Sequence, residues 1–114
     1  MNIYISGPIT GIDELLCYRN FKNAEVRIMG KGHIPVNPLK IGMLLPKSFE
    51  WSDYLSIDIE IMKKCNAVVF LEGWENSKGC QYEHSIAHNY TKLGGFQVFY
   101  GIHEIPINES INRR

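Results

Sequence analysis

"AVVFLEGWENSKGCQYEHSIAHNY", residues 67–90, joins a continuous apolar run to a segment with helical periodicity. The run from Ala67 to Leu71 has no polar residue, which is typical of a strand that is buried on both faces. Apolar side chains then recur at helical spacing from residue 78 onward, and Ser77 is a favourable N-cap residue for that helix. The stretch therefore predicts one strand–helix unit of an α/β protein.

The rest of the chain continues the same alternation of strands and helices. We predict, in order, a strand at 2–6, a helix at 14–29, a strand at 33–36, a loop at 39–50, a helix at 51–64 and a last strand at 97–100. Such alternation predicts a parallel sheet with helices on both faces. We therefore expect a flavodoxin-like (Rossmann-like) three-layer sandwich with four or five parallel strands, formed by one domain over residues 1–114.

Composition and charge exclude several classes of protein. The chain is 45% hydrophobic and 21% charged with a formal net charge of zero, as is ordinary for a globular protein. Its basic residues are scattered, so we expect no duplex nucleic-acid partner. The apolar runs are too short for a transmembrane helix, and the start MNIYISG resembles a strand more than a secretion signal. We expect a cytoplasmic protein without a membrane partner.

The cysteines and histidines give no sign of a metal centre. Cys17, Cys65 and Cys80 are odd in number, widely spaced and without a CxxC pair, which predicts buried, reduced thiols. His84 and His88 are four residues apart but lie on the polar face of their helix. We expect a solvated pair there, and we predict neither a metal nor a cofactor.

Two carboxylates fall where apolar residues are expected. On a helical wheel at about 100° per residue, Glu83 lies near the middle of the apolar half of its helix. Asp58 lies at the centre of the apolar side of the preceding helix. An unpaired buried carboxylate is costly, so such groups shift their pKa, find donors or mark a site. Two of them on helices that flank one strand indicate a functional site. The alternative is that nearby donors satisfy each carboxylate in a structural role.

A pair of carboxylates suits the cleavage of a glycosidic bond. One carboxylate attacks or stabilises the anomeric carbon, and the other handles the proton of the leaving group. The loop at 7–11 allows close approach of the backbone to a ligand, and Ser77 and Gly79 lie at a helix N-terminus that favours an anion. Parallel sheets bind ligands at the carboxyl ends of their strands, where both segments are expected.

Three motifs carry a resemblance to a known family: YISGPITG at 4–11, Asp58 before a buried strand, and SKGCQYE at 77–83. Their order and spacing resemble the nucleoside 2-deoxyribosyltransferase family over nearly the whole chain. The nearest analogues are 2'-deoxynucleoside 5'-phosphate N-hydrolases and small phage and bacterial members. The resemblance implies an N-(deoxy)ribosyltransferase-like fold. It also implies cleavage of a (deoxy)nucleoside or its 5'-monophosphate, with the sugar passed to water or to another base.

The resemblance also implies roles for individual residues. Glu83 would be the nucleophile on C1', Asp58 would assist the departing base as general acid or hold the reacting groups, and Tyr4 would orient Glu83 through its hydroxyl. The relatives complete their sites across a dimer interface, which implies a homodimer or a larger homo-oligomer. The residues assigned to substrate binding are Gly7, Pro8, Ile9, Thr10, Trp74, Ser77 and Gly79.

Some positions depart from the pattern of the relatives. The N-hydrolases carry an arginine in the first loop where this chain has Thr10, so Arg19 is a candidate replacement for contact with a phosphate. Trp74 is predicted either to stack on a nucleobase or to form a lid or an oligomer contact. Glu72 and Glu75 beside it remain possible acid or base groups, although loop carboxylates are more often simply solvated.

Other functions fit the same sequence. The chain is alternatively a non-catalytic sensor or inhibitor that binds a nucleotide in the same pocket, or an interaction protein whose carboxylates are structural. Exposed aromatic residues favour self-association, and the tail at 109–114 is a candidate to cross the interface. The main partner expected is a small-molecule nucleoside or nucleotide.

Overall fold

The computed structural model describes residues 1–109 as an α/β protein. Two single 3₁₀ turns, Trp74–Asn76 and Ile102–Glu104, complete the regular structure of this part of the chain. The strands are β1 (Asn2–Ser6), β2 (Ile34–Val36), β3 (Ala67–Phe70) and β4 (Gln97–Tyr100), and the helices are α1 (Glu14–Gly30), α2 (Pro38–Gly42), α3 (Trp51–Lys64) and α4 (Lys78–Thr91).

The four strands form one parallel sheet in the order β2-β1-β3-β4. The chain leaves β1 for β2 on one side and then returns to β3 on the other side of β1. The direction of winding thus reverses between β1 and β3, and a crevice forms at the carboxyl ends of such a pair. The predicted flavodoxin-like, Rossmann-like arrangement is confirmed, with four strands.

Helices cover both faces of the sheet because side chains alternate along each strand. On one face Ile5 of β1 packs with Phe21 of α1 in a fully buried cluster. On the other face Val68 of β3 packs with Met62 of α3 and Ala87 of α4. The chain therefore has the three layers that the sequence predicts.

The predicted loop at 39–50 is wrong at its start, where Pro38–Gly42 forms α2. The side chain of Asn37 accepts a hydrogen bond from the backbone N–H of Leu39, and proline is well suited to the first helical turn. The Asn37-Pro38 pair has the pattern of an N-cap followed by proline, so it both ends β2 and begins a helix.

A buried carboxylate of α1 anchors this short helix. Glu25 is only 5% exposed and accepts hydrogen bonds from Lys40 at 2.8 Å and from Asn37 at 3.2 Å. These bonds, with Lys40 the largest influence, lower the pKa of Glu25 below its ordinary value despite burial. Glu25 is thus satisfied in place, and α2 is held beside the crevice.

The other predicted strands and helices begin and end within three residues of their observed bounds. All three cysteines are free, and Cys17 and Cys80 are buried as predicted. Cys65 is only partly buried because it lies at the C-cap of α3. No helix within residues 1–109 is long and apolar enough to cross a membrane. Residues 110–114, most of the tail considered for an interface, lie outside the described residues.

Candidate functional site

A cleft of about 1020 Å³ opens at the carboxyl ends of the strands. Its walls come from the loop after β1, from α2 and the segment behind it, from one side of α3 and from the first turns of α4. Asp58 and Glu83 both line this cleft. The two carboxylates that a helical wheel places on apolar faces thus share one cavity.

Glu83 lies in the N-terminal half of α4 and is 6% exposed. The Tyr4 hydroxyl donates to its Oε2 at 2.5 Å, and the Ser6 hydroxyl donates to its Oε1 at 2.8 Å. Burial raises the pKa of Glu83 above its ordinary value, and these two hydrogen bonds offset only part of that rise. Hydroxyl groups of β1, rather than a cation, satisfy this carboxylate.

Asp58 has a different environment on the wall formed by α3. Burial, followed by the negative charge of Glu83, raises its pKa from 3.8 to about 7. Within residues 1–109 no donor or cation is paired with Asp58, in contrast to Glu83. Near neutral pH Asp58 therefore holds its proton more readily than an ordinary aspartate.

Tyr4 lies behind Glu83 and does not line the cleft. It is 1% exposed, and burial raises the pKa of its hydroxyl well above the ordinary value, with a further increase from the charges of Glu83 and Asp58. The phenol therefore stays protonated and acts as a donor. Tyr4 thus contacts Glu83 through its hydroxyl, and its orienting role stays a prediction.

Five of the residues assigned to substrate binding line the cleft. A side chain at Gly7 would begin 3.0 Å from Cδ1 of Leu71 and 3.2 Å from Cζ of Phe21, so glycine lets the loop lie against the core. Ser77 caps α4 by accepting a hydrogen bond from the N–H of Cys80 at 3.3 Å. The five residues are Gly7, Ile9, Thr10, Ser77 and Gly79.

Pro8 and Trp74 are not brought to this cleft. Trp74 stacks on His84 with ring centroids 4.5 Å apart and also packs against Phe70. Pro8 lines a separate, smaller cavity together with Glu72. The direction of the Trp74 ring depends on side chains from β3 and α4, which the loop sequence alone does not reveal.

The positively charged side chains that line the cleft do not include Arg19, the candidate from the sequence. Arg19 is exposed on α1, which packs on the opposite face of the sheet, and it does not line the cleft. Lys47 and Lys78 do line it. Lys78 also lies over the Trp51 ring, with Nζ 5.9 Å from the centroid.

Trp51, Tyr54 and Leu55 line the cleft and were not assigned to it from sequence. They precede Asp58 by seven, four and three residues, so they lie on the same stripe of α3. That spacing is a signal that identifies all three once Asp58 is taken as a site residue. Ser6 was also missed, although it is two residues from Tyr4 on one strand and so points to the same face.

Taken together, these features define a small flavodoxin-like α/β protein whose crevice holds two interacting carboxylates. Residues 1–96 match DUF4406, a domain of unknown function, and the chain belongs to that family because the match covers most of its length. No curated protein matches the chain. Within residues 1–109 no group of three or more His, Cys, Asp or Glu side chains is placed to hold a metal ion. The similarity to nucleoside 2-deoxyribosyltransferases stays a prediction from sequence motifs.

The raised pKa of Asp58 predicts a pH-dependent stability difference. A carboxyl group whose folded pKa is above its ordinary value destabilises the fold as pH rises through about 7. Asp58→Asn removes this ionisation. We expect the variant to match the wild type near pH 4 and to gain on the order of 2 kcal/mol by pH 8, a value reduced for the solvent that reaches Asp58.

Urea unfolding followed by circular dichroism at pH 4, 6 and 8 measures this difference. Glu60→Gln is the matched control, because Glu60 lies on the same helix but is 67% exposed. Its stability difference from the wild type should change little with pH. A constant difference between Asp58→Asn and the wild type across this range would contradict the prediction.

Proposed function

We propose that this protein cleaves the N-glycosidic bond of a (deoxy)nucleoside or nucleoside 5'-monophosphate. The sugar passes to water in a hydrolase or to a second base in a transferase. The observation that carries the proposal is the unequal pair of acids in one cleft. Glu83 has two hydroxyl donors that favour its anion, whereas Asp58 has a pKa of about 7 and retains a proton near neutral pH.

The first step uses Glu83 as nucleophile and Asp58 as general acid. An oxygen of ionised Glu83 forms a bond to C1' while the bond from C1' to the base nitrogen breaks. Protonated Asp58 gives its proton to the departing base, which leaves neutral. A general acid works best when its pKa lies near the working pH, and Asp58 meets that condition.

The second step reverses these roles. Asp58, now a carboxylate, takes a proton from a water molecule, and the water oxygen bonds to C1' as the bond to Glu83 breaks. A second base with an N–H group replaces water in the transferase reaction. Both acids then return to their starting protonation states, as in a two-step displacement at an anomeric carbon.

The walls of the cleft support a substrate with a planar base and a sugar. Trp51 and Tyr54 line the side formed by α3, and aromatic rings stack on nucleobases. Lys47 and Lys78 line the same cleft, and Lys78 begins α4. These two positive charges support a monophosphate as substrate, in place of the arginine contact of the relatives. Gly79 has no side chain to fill the space beside Trp51 and Leu55, which leaves room there for the sugar.

A panel of nucleosides and 5'-monophosphates, followed by chromatography for free base, tests the activity. We expect the wild type to release base from at least one member and Glu83→Gln to lose that activity, because the neutral amide cannot attack C1'. The loss should reach a factor of at least about 10³, since the covalent step is removed. Thermal melts should show that the variant remains folded.

Glu72→Gln and Glu75→Gln are the matched controls, because neither residue lines the cleft. Both should keep the activity of the wild type, which also tests the two loop carboxylates as acid or base groups. Binding of a nucleotide in a thermal-shift assay without release of base would instead indicate the non-catalytic sensor or inhibitor. Unchanged turnover in Glu83→Gln would remove the proposed mechanism.

Trp51→Leu tests the aromatic wall. Stacking on one base contributes about 1–3 kcal/mol, so we expect KM to rise by about tenfold or more with a smaller change in kcat. Trp74→Leu is the control, since Trp74 packs with His84 and Phe70 and does not line the cleft. A rise in KM for Trp74→Leu alone would instead favour Trp74 as the base-stacking residue.

We also propose that the chain forms a homodimer. Met43 and Leu44, beside the cleft wall, are adjacent in the chain and 80% and 85% exposed, and a contiguous exposed apolar patch favours an interface. Leu44→Ser should shift the mass measured by light scattering from dimer toward monomer. Leu93→Ser should not, because Leu93 is similarly apolar and 80% exposed but lies just beyond the C-terminal end of α4. A monomeric wild type would contradict the proposal.

A further inference from the structure

Strand β1 presents two hydroxyl groups to the same side of the sheet. Side chains alternate along a strand, so Tyr4 and Ser6 face α4 while Ile3 and Ile5 pack on the opposite face against α1. Ser6 is the last residue of β1 and is 1% exposed. It is therefore fixed by the sheet rather than by a flexible loop.

Each hydroxyl donates a hydrogen bond to a different carboxylate oxygen of Glu83. Tyr4 donates to Oε2 and Ser6 donates to Oε1, at 2.5 Å and 2.8 Å. The carboxylate is thus held at both oxygens, which fixes its plane as well as its position. An ionised carboxylate accepts hydrogen bonds more strongly than a neutral carboxyl, so both contacts favour the anion.

The groups that face Glu83 come from three elements. They are Tyr4 from β1, Asp58 from α3 and Cys80 from its own helix. Lys47 and Lys78 line the same cleft. Burial raises the pKa of the Cys80 thiol, so this group stays neutral and adds no charge beside Glu83.

We propose that Ser6 is a positioning residue that, together with Tyr4, holds the carboxylate of Glu83 in one orientation and keeps it ionised. The inference rests on the proposed function for its consequences in turnover. Its effect on the ionisation of Glu83 does not depend on that function. Ser6 does not line the cleft and so acts through Glu83.

The direct test follows the ionisation of Glu83 without any substrate. Protein with ¹³C in its side-chain carboxyl groups is titrated by NMR, and the Glu83 signal is assigned by its absence in Glu83→Gln. Ser6→Ala removes one donor to the anion. We expect the titration midpoint of Glu83 to rise by about one pH unit.

Three variants control this measurement. Ser85→Ala makes the same change on α4, where the hydroxyl donates to the backbone carbonyl of Gln81 instead, and it should leave the midpoint unchanged. Ser6→Thr keeps a hydroxyl, so the titration midpoint of Glu83 should stay close to that of the wild type. Ser6→Cys keeps the size of serine with a weaker donor and should give an intermediate midpoint, even if Ser6→Ala does not fold.

A kinetic readout follows if a substrate is found. The acid limb of the pH profile of kcat/KM should move to higher pH in Ser6→Ala, because Glu83 must be ionised to attack. We expect kcat to fall by about tenfold while KM changes by less than about twofold. A purely structural role would lower the amount of folded protein without moving the acid limb.

The same midpoint for Glu83 in the wild type, Ser6→Ala and Ser6→Cys would overturn the inference. That result would leave the proposed function standing, since turnover could still require Glu83. Conversely, a shifted midpoint together with no release of base from any substrate would support the role of Ser6 and contradict the proposed function.

Discussion

The hydrogen bonds from Tyr4 and Ser6 to Glu83 join the first strand to the last helix across more than seventy residues of chain. A carboxylate buried without donors would destabilise the fold, because burial disfavours its charge. The two hydroxyls offset part of that cost and connect α4 to β1. This contact adds to the apolar packing of α4 on the sheet and fixes Glu83 at the cleft.

The two acids differ because of their surroundings and not because of their position on a helix. Both lie on the inward stripe of an amphipathic helix, but Glu83 contacts donors whereas Asp58 lies on an open wall beside it. The negative charge of Glu83 then makes the ionisation of Asp58 harder. Packing thereby gives the two acids different tendencies to hold a proton, and the proposed acid-assisted cleavage depends on that difference.

The open cleft also explains why α3 carries large apolar side chains that are not part of a closed core. Its stripe carries Trp51, Tyr54 and Leu55 ahead of Asp58, and these residues line the cavity instead of a closed core. Met62 is the fully buried residue of this helix. The apolar stripe thus serves two purposes along its length, a cleft wall at the N-terminal end and a core contact at the C-terminal end.

The pattern of residues was sufficient to predict the parallel sheet, most of its helices and the inward direction of Asp58 and Glu83. These properties depend on spacing along the chain, which local geometry converts into a face of a helix or strand. Tertiary contacts determined that Ser6 meets Glu83, that Trp51 rather than Trp74 lines the cleft, and that Asp58 has the raised pKa. Each of these depends on groups far apart in sequence, whose distances and burial no local spacing contains.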